Sequence, residues 1–407
     1  MNVFTDLLIL LVLTRVLGEV AERLGQPASV GEIFSGIVVA TVALLYGDFI
    51  PYANQLVDSE ILIYTADIGI FGLMLLSGID TEVKEIMEYA GESVLVAIGG
   101  IILPLISGFA LVWFVLPVFE GKMILALLSG IVLSMTAVPA VVRVLQELNL
   151  THTRMGQIII GAALFDDVIG LFLLAILLAV VDTGGFPELL DLGFLIVKIG
   201  FFFGITITLG VHVYPRVSRG LNTMQATSLE FSAIAMIGLG YGLFAESLGL
   251  HWILGAFMAG LFFDRARVGV RSYAEVKLIF TAITRGMLAP LFFASIGMRF
   301  DPNSLVDVPV FLLLLLMVAF LGKIIGCGVP AKLVGLPGKE ALAVGVGMST
   351  RGAVGFVVLS IAFSVGVFDN LSQFGPEAAN LFSALVLVGV VTTMVVPVIL
   401  RQTHKPQ

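Results

Sequence analysis

Thirteen apolar stretches, most of them about 20 residues long and separated by short polar or Gly/Pro-marked breaks, constrain this chain more than any motif in it. A membrane-spanning helix needs about 20 mostly apolar residues. The stretches run near residues 3–22, 30–47, 60–80, 93–116, 122–147, 155–181, 189–213, 226–247, 250–263, 275–297, 305–333, 339–366 and 378–400. The ninth is short, and the break before it, Glu246 to His251, is the least sharply marked. Of the 407 residues, 59% are hydrophobic and only 12% charged, against about 25% charged in a soluble protein. That excludes a soluble enzyme, a nucleic-acid binder and a disordered chain. It predicts an all-α polytopic membrane protein whose surroundings are the lipid bilayer. The first stretch lacks the basic lead of a cleaved signal: its first charge is Asp6, and Arg15 interrupts it. It reads as the first span. The lone cysteine, Cys327, rules out an intramolecular disulfide. Neither a His/Cys cluster nor a phosphate-cradling loop stands out, so no cofactor is expected.

Cytoplasmic loops of membrane proteins carry an excess of Lys and Arg. The odd-numbered connections and the C-terminal tail hold Arg23, Lys84, Arg143, Arg154, Arg216, Arg219, Arg265, Arg267, Arg271, Lys277, Lys332, Lys339, Arg401 and Lys405. The even-numbered connections hold only Lys122 and Arg299. Fourteen against two puts the N-terminus outside the cell membrane and the C-terminus in the cytoplasm. The other five of the 21 bases, Arg15, Lys198, Arg285, Lys323 and Arg351, fall within spans. Only seven residues follow Leu400, so no cytosolic regulatory domain is expected.

The chain repeats itself. Leu24-Gly25, Gly31 and Gly36 lead into the second stretch, and Leu248-Gly249, Gly255 and Gly260 lead into the ninth, an offset of 249 − 25 = 224. A second echo links Leu75–Asp80 (LLSGID) in the third stretch to Phe293–Asp301 (FASIGMRFD) in the tenth. Equivalent spans differ by seven, an odd number, so the second copy is inverted in the membrane. Inverted repeats are a secondary-transporter architecture.

The sharpest chemical feature is Leu164-Phe165-Asp166-Asp167-Val168, flanked by apolar sequence on both sides. A charge at mid-bilayer costs at least about 2.5–3.5 kcal/mol, so two adjacent aspartates there carry a functional implication. Neighbours on a helix point about 100° apart, and the two acids can therefore address different partners. Lys323, midway along Phe320–Gly326, is too central to snorkel to the interface and wants a carboxylate, for which one of the aspartates is the natural choice. Two spans are interrupted. The fifth carries Ser134-Met135-Thr136-Ala137-Val138-Pro139, where the proline removes a helix hydrogen bond. The twelfth carries Gly345, Gly347, Ser349, Thr350, Arg351 and Gly352. They are seven apart, hence repeat equivalents. Crossed broken helices would present half-helix ends of both signs to each other. Arg351 either neutralises half-helix carbonyls or pairs with an acid, and the sequence leaves both open. Asp67, Glu32 and Glu230 read as interfacial or structural acids; Arg285 has no assigned role.

These residues carry a family resemblance. The chain resembles monovalent cation:proton antiporters of the CPA2 branch, close to the NapA-type sodium/proton antiporters. It does so through LGQPASVGEIFSGI (24–37), LLSGID (75–80), RVLQEL (143–148), GAALFDDVIGL (161–171), ESLGLHWILGAFMAGL (246–261), PLFFASIGM (290–298), FLGKIIG (320–326) and GMSTRGAVGF (347–356). The resemblance implies panel helices at 1–90 and 226–300 that pair two protomers, core helices at 91–182 and 301–407 that carry the site, and a linker at 183–225. It implies that Asp167 carries the ion and the proton while Asp166 pairs with Lys323. Relatives with Asn-Asp are typically electroneutral; Asp-Asp with lysine resembles the type that exchanges two protons for one sodium. On this reading a dehydrating Na⁺ binds between Asp166 and Asp167, helped by the Thr136 and Ser134 hydroxyls and by broken-helix carbonyls. Pro139, Gly347, Thr350 and Arg351 support the crossing. Val138-Pro139 departs from the NapA-type motif, leaving the choice among Na⁺, Li⁺ and K⁺ open. Ala353 stands where potassium-efflux relatives often have glutamate. An intramembrane aspartyl protease wants its two aspartates on separate helices with Gly-x-Gly-Asp, and the nearest string is Gly78-Ile79-Asp80. A cation channel would want a filter-like repeat, which is missing.

Overall fold

The computed structural model describes residues 3–57, 59–81, 89–183, 189–212, 214–216 and 229–403. Lys84, Arg219 and Lys405, together with residue 213 and residues 226–228 of the seventh and eighth stretches, lie outside the described residues. Most of these residues are helical, as lipid demands: with no water to satisfy backbone N–H and C=O groups, a spanning segment must bond its own. The main helices are α1 (Val3–Arg23), α2 (Ala28–Tyr46), α3 (Pro51–Val57), α4 (Glu60–Asp80), α5 (Ala90–Val115), α6 (Lys122–Ser134), α7 (Val138–Glu147), α8 (Arg154–Thr183), α9 (Leu189–His212), α10 (Leu229–Ser247), α11 (Ile253–Leu261), α12 (Val270–Ile283), α13 (Ala289–Met298), α14 (Pro309–Leu333), α15 (Gly338–Gly347), α16 (Ala353–Ser364) and α17 (Leu381–Thr403). Among the described residues, nine stretches are long and apolar enough to cross a membrane. All thirteen sequence segments fall on helix, the fifth and twelfth as the pairs α6/α7 and α15/α16.

One boundary needs correction. The tenth segment begins at Val270 rather than 275 and contains a π-helical turn, Thr284–Leu288, between α12 and α13. Nothing in the apolar pattern signals that turn, because widening the backbone ring leaves the side-chain composition unchanged.

The chain divides into two compact units, Met1–Ser59 with Glu85–Phe186 and Phe293–Gln407, and Glu60–Lys84 with Pro187–Phe292. The repeat is visible inside each. In the larger unit α1 ends in a Schellman turn: the Gln26 N–H donates to Ala21 O, the Gly25 N–H donates to Glu22 O, and Gly25 takes φ +73°. In the smaller unit α10 ends identically, Leu250 to Ala245 and Gly249 to Glu246, with Gly249 at φ +74°. The close crossings correspond as well. Gly36 of α2 meets Gly297 of α13 in the larger unit, and Gly78 of α4 meets Gly260 of α11 in the smaller. Each sequence copy thus supplies one partner to each crossing.

At these crossings backbone meets backbone. A Cβ at Gly36 would stand 2.0 Å from Ala294 O, and one at Gly260 2.0 Å from Leu75 O. Overpacking costs about 1–3 kcal/mol where neighbours can yield, and here the neighbour is a helix backbone. Gly36→Val is therefore expected to lose most of its folded protein, measured as the monodisperse fraction in detergent chromatography. A normal yield would contradict the crossing.

Candidate functional site

The candidate site lies entirely within the larger unit. Asp166 and Asp167 sit in the middle of the unbroken α8, and both are buried. Lys323, just past the middle of α14, is fully buried. Its Nζ donates to Asp166 Oδ2 at 2.9 Å and to Thr136 Oγ1 at 2.8 Å. A buried ion pair offsets its own desolvation only when the geometry is good and further hydrogen bonds are made, and Thr136 supplies one. Thr136 in turn donates to Met348 O at 3.1 Å, tying the pair to the break between α15 and α16. Asp166 Oδ1 is buried without a hydrogen-bond partner. Among the described residues Asp167 makes no ion pair, so its carboxylate is not committed to Lys323. The two acids of one helical turn thus have different surroundings: one neutralised by lysine, the other available.

The two breaks lie against each other. α6 stops at Ser134, Met135 and Ala137 are extended, and α7 restarts at Val138 with Pro139 in its first turn, where its missing N–H costs nothing. α15 stops at Gly347 and α16 restarts after an extended Gly352. The Ala137 N–H donates to Thr350 O at 2.9 Å, and Thr350 Oγ1 bonds Ala137 O at 3.4 Å and Gly347 O at 3.1 Å. A Cβ at Gly352 would stand 2.5 Å from the Ala137 Cβ, so the crossing requires that glycine. Four half-helix termini, each with unsatisfied backbone groups, are exposed to one another there.

Arg351 resolves its open alternative in favour of carbonyls. Its Nη1 donates to Ser349 O at 2.6 Å, and its Nη2 donates to Leu133 O at 2.6 Å and to Ala319 O at 3.1 Å. A guanidinium at the negative end of α6 stabilises that terminus. Ala319 lies one turn before Lys323 on α14, so one side chain joins both breaks to the helix that carries the lysine. Thr393 of α17 holds Arg351 from behind, its hydroxyl donating to Arg351 O.

Not every expected residue joins the cluster. Ser134 is buried, yet its hydroxyl donates to Ile131 O at 2.7 Å, back along its own helix. Only its lone pairs remain for a cation. Glu32 is buried on α2 with Arg15 at 3.9 Å, Glu230 accepts from the Ser272 hydroxyl, and Asp67 is exposed. Arg285 pairs with Asp80 at 3.0 Å beside Lys277 at 2.7 Å. Sequence reasoning missed the Met348 and Ala319 carbonyls, which carry no side-chain signal. It also missed Thr393, which polarity within an otherwise apolar helix could have flagged. No group of three or more His, Cys, Asp or Glu able to hold a metal occurs among the described residues.

The arrangement is suited to competition between a proton and a monovalent cation: one uncommitted carboxylate, one carboxylate oxygen without a partner, hydroxyls and backbone carbonyls. Residues 7–405 match the family described as sodium/hydrogen exchanger, transmembrane. The Na(+)/H(+)-K(+) antiporter GerN of Bacillus cereus is 30% identical over 98% of this chain and 96% of its own length. The Na(+)/H(+) antiporter of Enterococcus hirae is 28% identical over 98% and 97%. Among solved structures, the sodium proton antiporter MjNhaP1 of Methanocaldococcus jannaschii superposes with a TM-score of 0.74. That match covers 98% of this chain and 97% of the other at 16% identity, a likeness of fold.

Proposed function

The chain belongs to the sodium/hydrogen exchanger family, and from that premise we propose that it exchanges Na⁺ or Li⁺ for protons across the cell membrane, electrogenically, by an elevator movement of its core helices. It is a transporter and not an enzyme, and a cation/proton antiporter. The observation that carries the finer reading is the buried Lys323–Asp166 pair beside an uncommitted Asp167.

In the proton-loaded state Asp167 is protonated, Lys323 is charged and Asp166 is ionised, so the site is neutral. A Na⁺ entering between the carboxylates expels the Asp167 proton and displaces Lys323 from Asp166. The lysine then releases its own proton. The site now holds two carboxylates, one cation and a neutral amine, a net charge of minus one. Two protons have left for one sodium. The Thr136 hydroxyl, freed of Lys323, and the Met348 carbonyl beside it take over part of the ion's lost hydration shell. A site carrying two bare carboxylates resists passage between lipid-walled faces, which enforces exchange. One net charge per cycle couples transport to voltage at about 2.3 kcal/mol per 100 mV.

On this reading helices at 91–182 and 301–407 form the mobile core, those at 1–90 and 226–300 are panel helices that pair two protomers, and 183–225 is the linker. The orientation is N-terminus outside and C-terminus in the cytoplasm. The Bacillus cereus relative is a Na(+)/H(+)-K(+) antiporter by name, which makes K⁺ a second candidate cation. Purified protein in liposomes loaded with a pH dye should respond to inward Na⁺ or Li⁺ gradients at clamped potential, with the K⁺ arm deciding whether potassium is also carried. No response to any of the three cations would sink the proposal.

The lysine has its own test. Lys323→Gln combined with Asp166→Asn removes both members of the pair without leaving a buried charge alone. Exchange is expected to persist at one proton per sodium and to lose its response to imposed voltage. A voltage response equal to that of the unaltered protein would count against Lys323 as the second proton carrier.

A further inference from the structure

At one end of the larger unit, outside the aspartate site, five groups close a ring of charge. Arg143 of α7 donates from Nη1 to Glu22 of α1 at 3.3 Å and lies 3.4 Å through Nε from Glu147, one turn further along α7. Arg401 of α17 reaches the other Glu147 oxygen at 2.7 Å and also donates to the Gly25 carbonyl at 3.3 Å. The path therefore leaves the last turn of α1 at Glu22 and returns to its cap at Gly25. Gly25 lacks a Cβ, and one placed there would stand 3.1 Å from Arg401 Nη1, so the cap leaves room for the guanidinium. Glu147 is the last residue of α7, where an acid opposes the helix dipole. Two guanidiniums compensate that placement, which helix stability alone would not favour.

The ring joins two groups of helices. α1 and its cap belong to the panel of the proposed mechanism, whereas α7 and α17 belong to the core. Every member is partly open to solvent, and such pairs are individually weak and reversible. The inverted copy does not reproduce it. Glu246 stands at the position of Glu22 (22 + 224), yet α16, the equivalent of α7, contains no charged residue. Among the described residues α16 therefore offers no counterpart to Arg143 and Glu147.

We propose that this ring is a latch: it holds the α1 cap against α7 and α17, keeps the cytoplasmic mouth of the site closed, and must open for the core to move. It rests on the elevator reading above and assigns Glu22, Arg143, Glu147 and Arg401 to gating rather than to ion binding. With Cys327 buried and out of reach, cysteines can be placed in pairs. Glu22→Cys with Arg143→Cys, joined by a short bis-methanethiosulfonate, should lose at least about ten-fold in exchange rate, because the conformational step is then blocked. Dithiothreitol should restore it. The control pair is Glu92→Cys with Arg154→Cys, whose native contact of 3.0 Å joins α5 to α8 within the core. Crosslinking there should leave exchange unchanged. A crosslinked Glu22/Arg143 pair that still exchanges at full rate, or an equal loss in the control pair, would overturn the latch. Lack of exchange in both the unaltered protein and the variants before crosslinking would instead overturn the antiport reading, and the latch with it.

Discussion

Asp167→Asn is expected to abolish cation-driven proton movement while leaving the protein folded. The asparagine keeps the shape of the side chain and its hydrogen-bonding capacity, but it can neither hold a cation by charge nor carry a proton. In the structure Asp167 is buried and makes no ion pair among the described residues, so neutralising it breaks no partner contact and removes a costly buried charge. Exchange measured by dye dequenching in liposomes should fall at least about a hundred-fold, equivalent to about 2.7 kcal/mol, with the thermal midpoint unchanged or raised. The neighbouring acid behaves oppositely. Asp166→Asn strands Lys323, whose Nζ lies 2.9 Å from Asp166 Oδ2 in a fully buried position, and breaking a buried pair on one side costs about 3–5 kcal/mol. Adjacent residues on one helix should thus give a stable inactive variant and an unstable one. Activity above a tenth of normal in Asp167→Asn would remove that residue from the site.

Arg351→Met is expected to be the most damaging single change at the crossing. The guanidinium donates to three carbonyls, Leu133 O at 2.6 Å, Ser349 O at 2.6 Å and Ala319 O at 3.1 Å, and methionine fills similar volume with no donor. Each buried carbonyl left unsatisfied costs about 1–3 kcal/mol. Partial relaxation of the breaks brings the sum to on the order of 5 kcal/mol, enough to unfold a protein of ordinary stability. Arg351→Lys retains the charge and one or two of the bonds, and should restore folding in part. Thermal unfolding in detergent, followed by light scattering, separates the cases. A midpoint for Arg351→Met within a degree or two of the unaltered protein would show that the carbonyls find other donors.

Much of this architecture was legible in the residues. The thirteen segments fall on helix because the bilayer imposes a length and an apolarity on every crossing, and both are written in composition. The glycine echoes at 25, 31 and 36 and at 249, 255 and 260 mark a repeat because helices that approach to backbone contact admit no other residue at Gly36 and Gly260. The buried charges stood out because each is expensive in lipid. Ser134 shows the limit: sequence placed it at the break, but whether its hydroxyl faces an ion or its own helix depends on a rotamer, and the hydroxyl donates to Ile131 O. The π-turn at Thr284–Leu288 and the ring from Glu22 to Arg401 were silent for related reasons. A change of backbone ring size leaves no compositional trace, and loop bases otherwise read as topology markers.

The sequence by itself determined that this chain is a polytopic, internally repeated membrane protein keeping two aspartates and a lysine where charge is costly. Those properties follow from side-chain solvation, which every residue carries with it. The family resemblance named Asp166 as the lysine's partner, and the structure places the two 2.9 Å apart; only the tertiary structure decided that Arg351 serves carbonyls rather than an acid, and which backbone oxygens line the crossing. A carbonyl is chemically the same at every position. It becomes an arginine acceptor only where the fold brings a guanidinium to it, as at Leu133, Ser349 and Ala319.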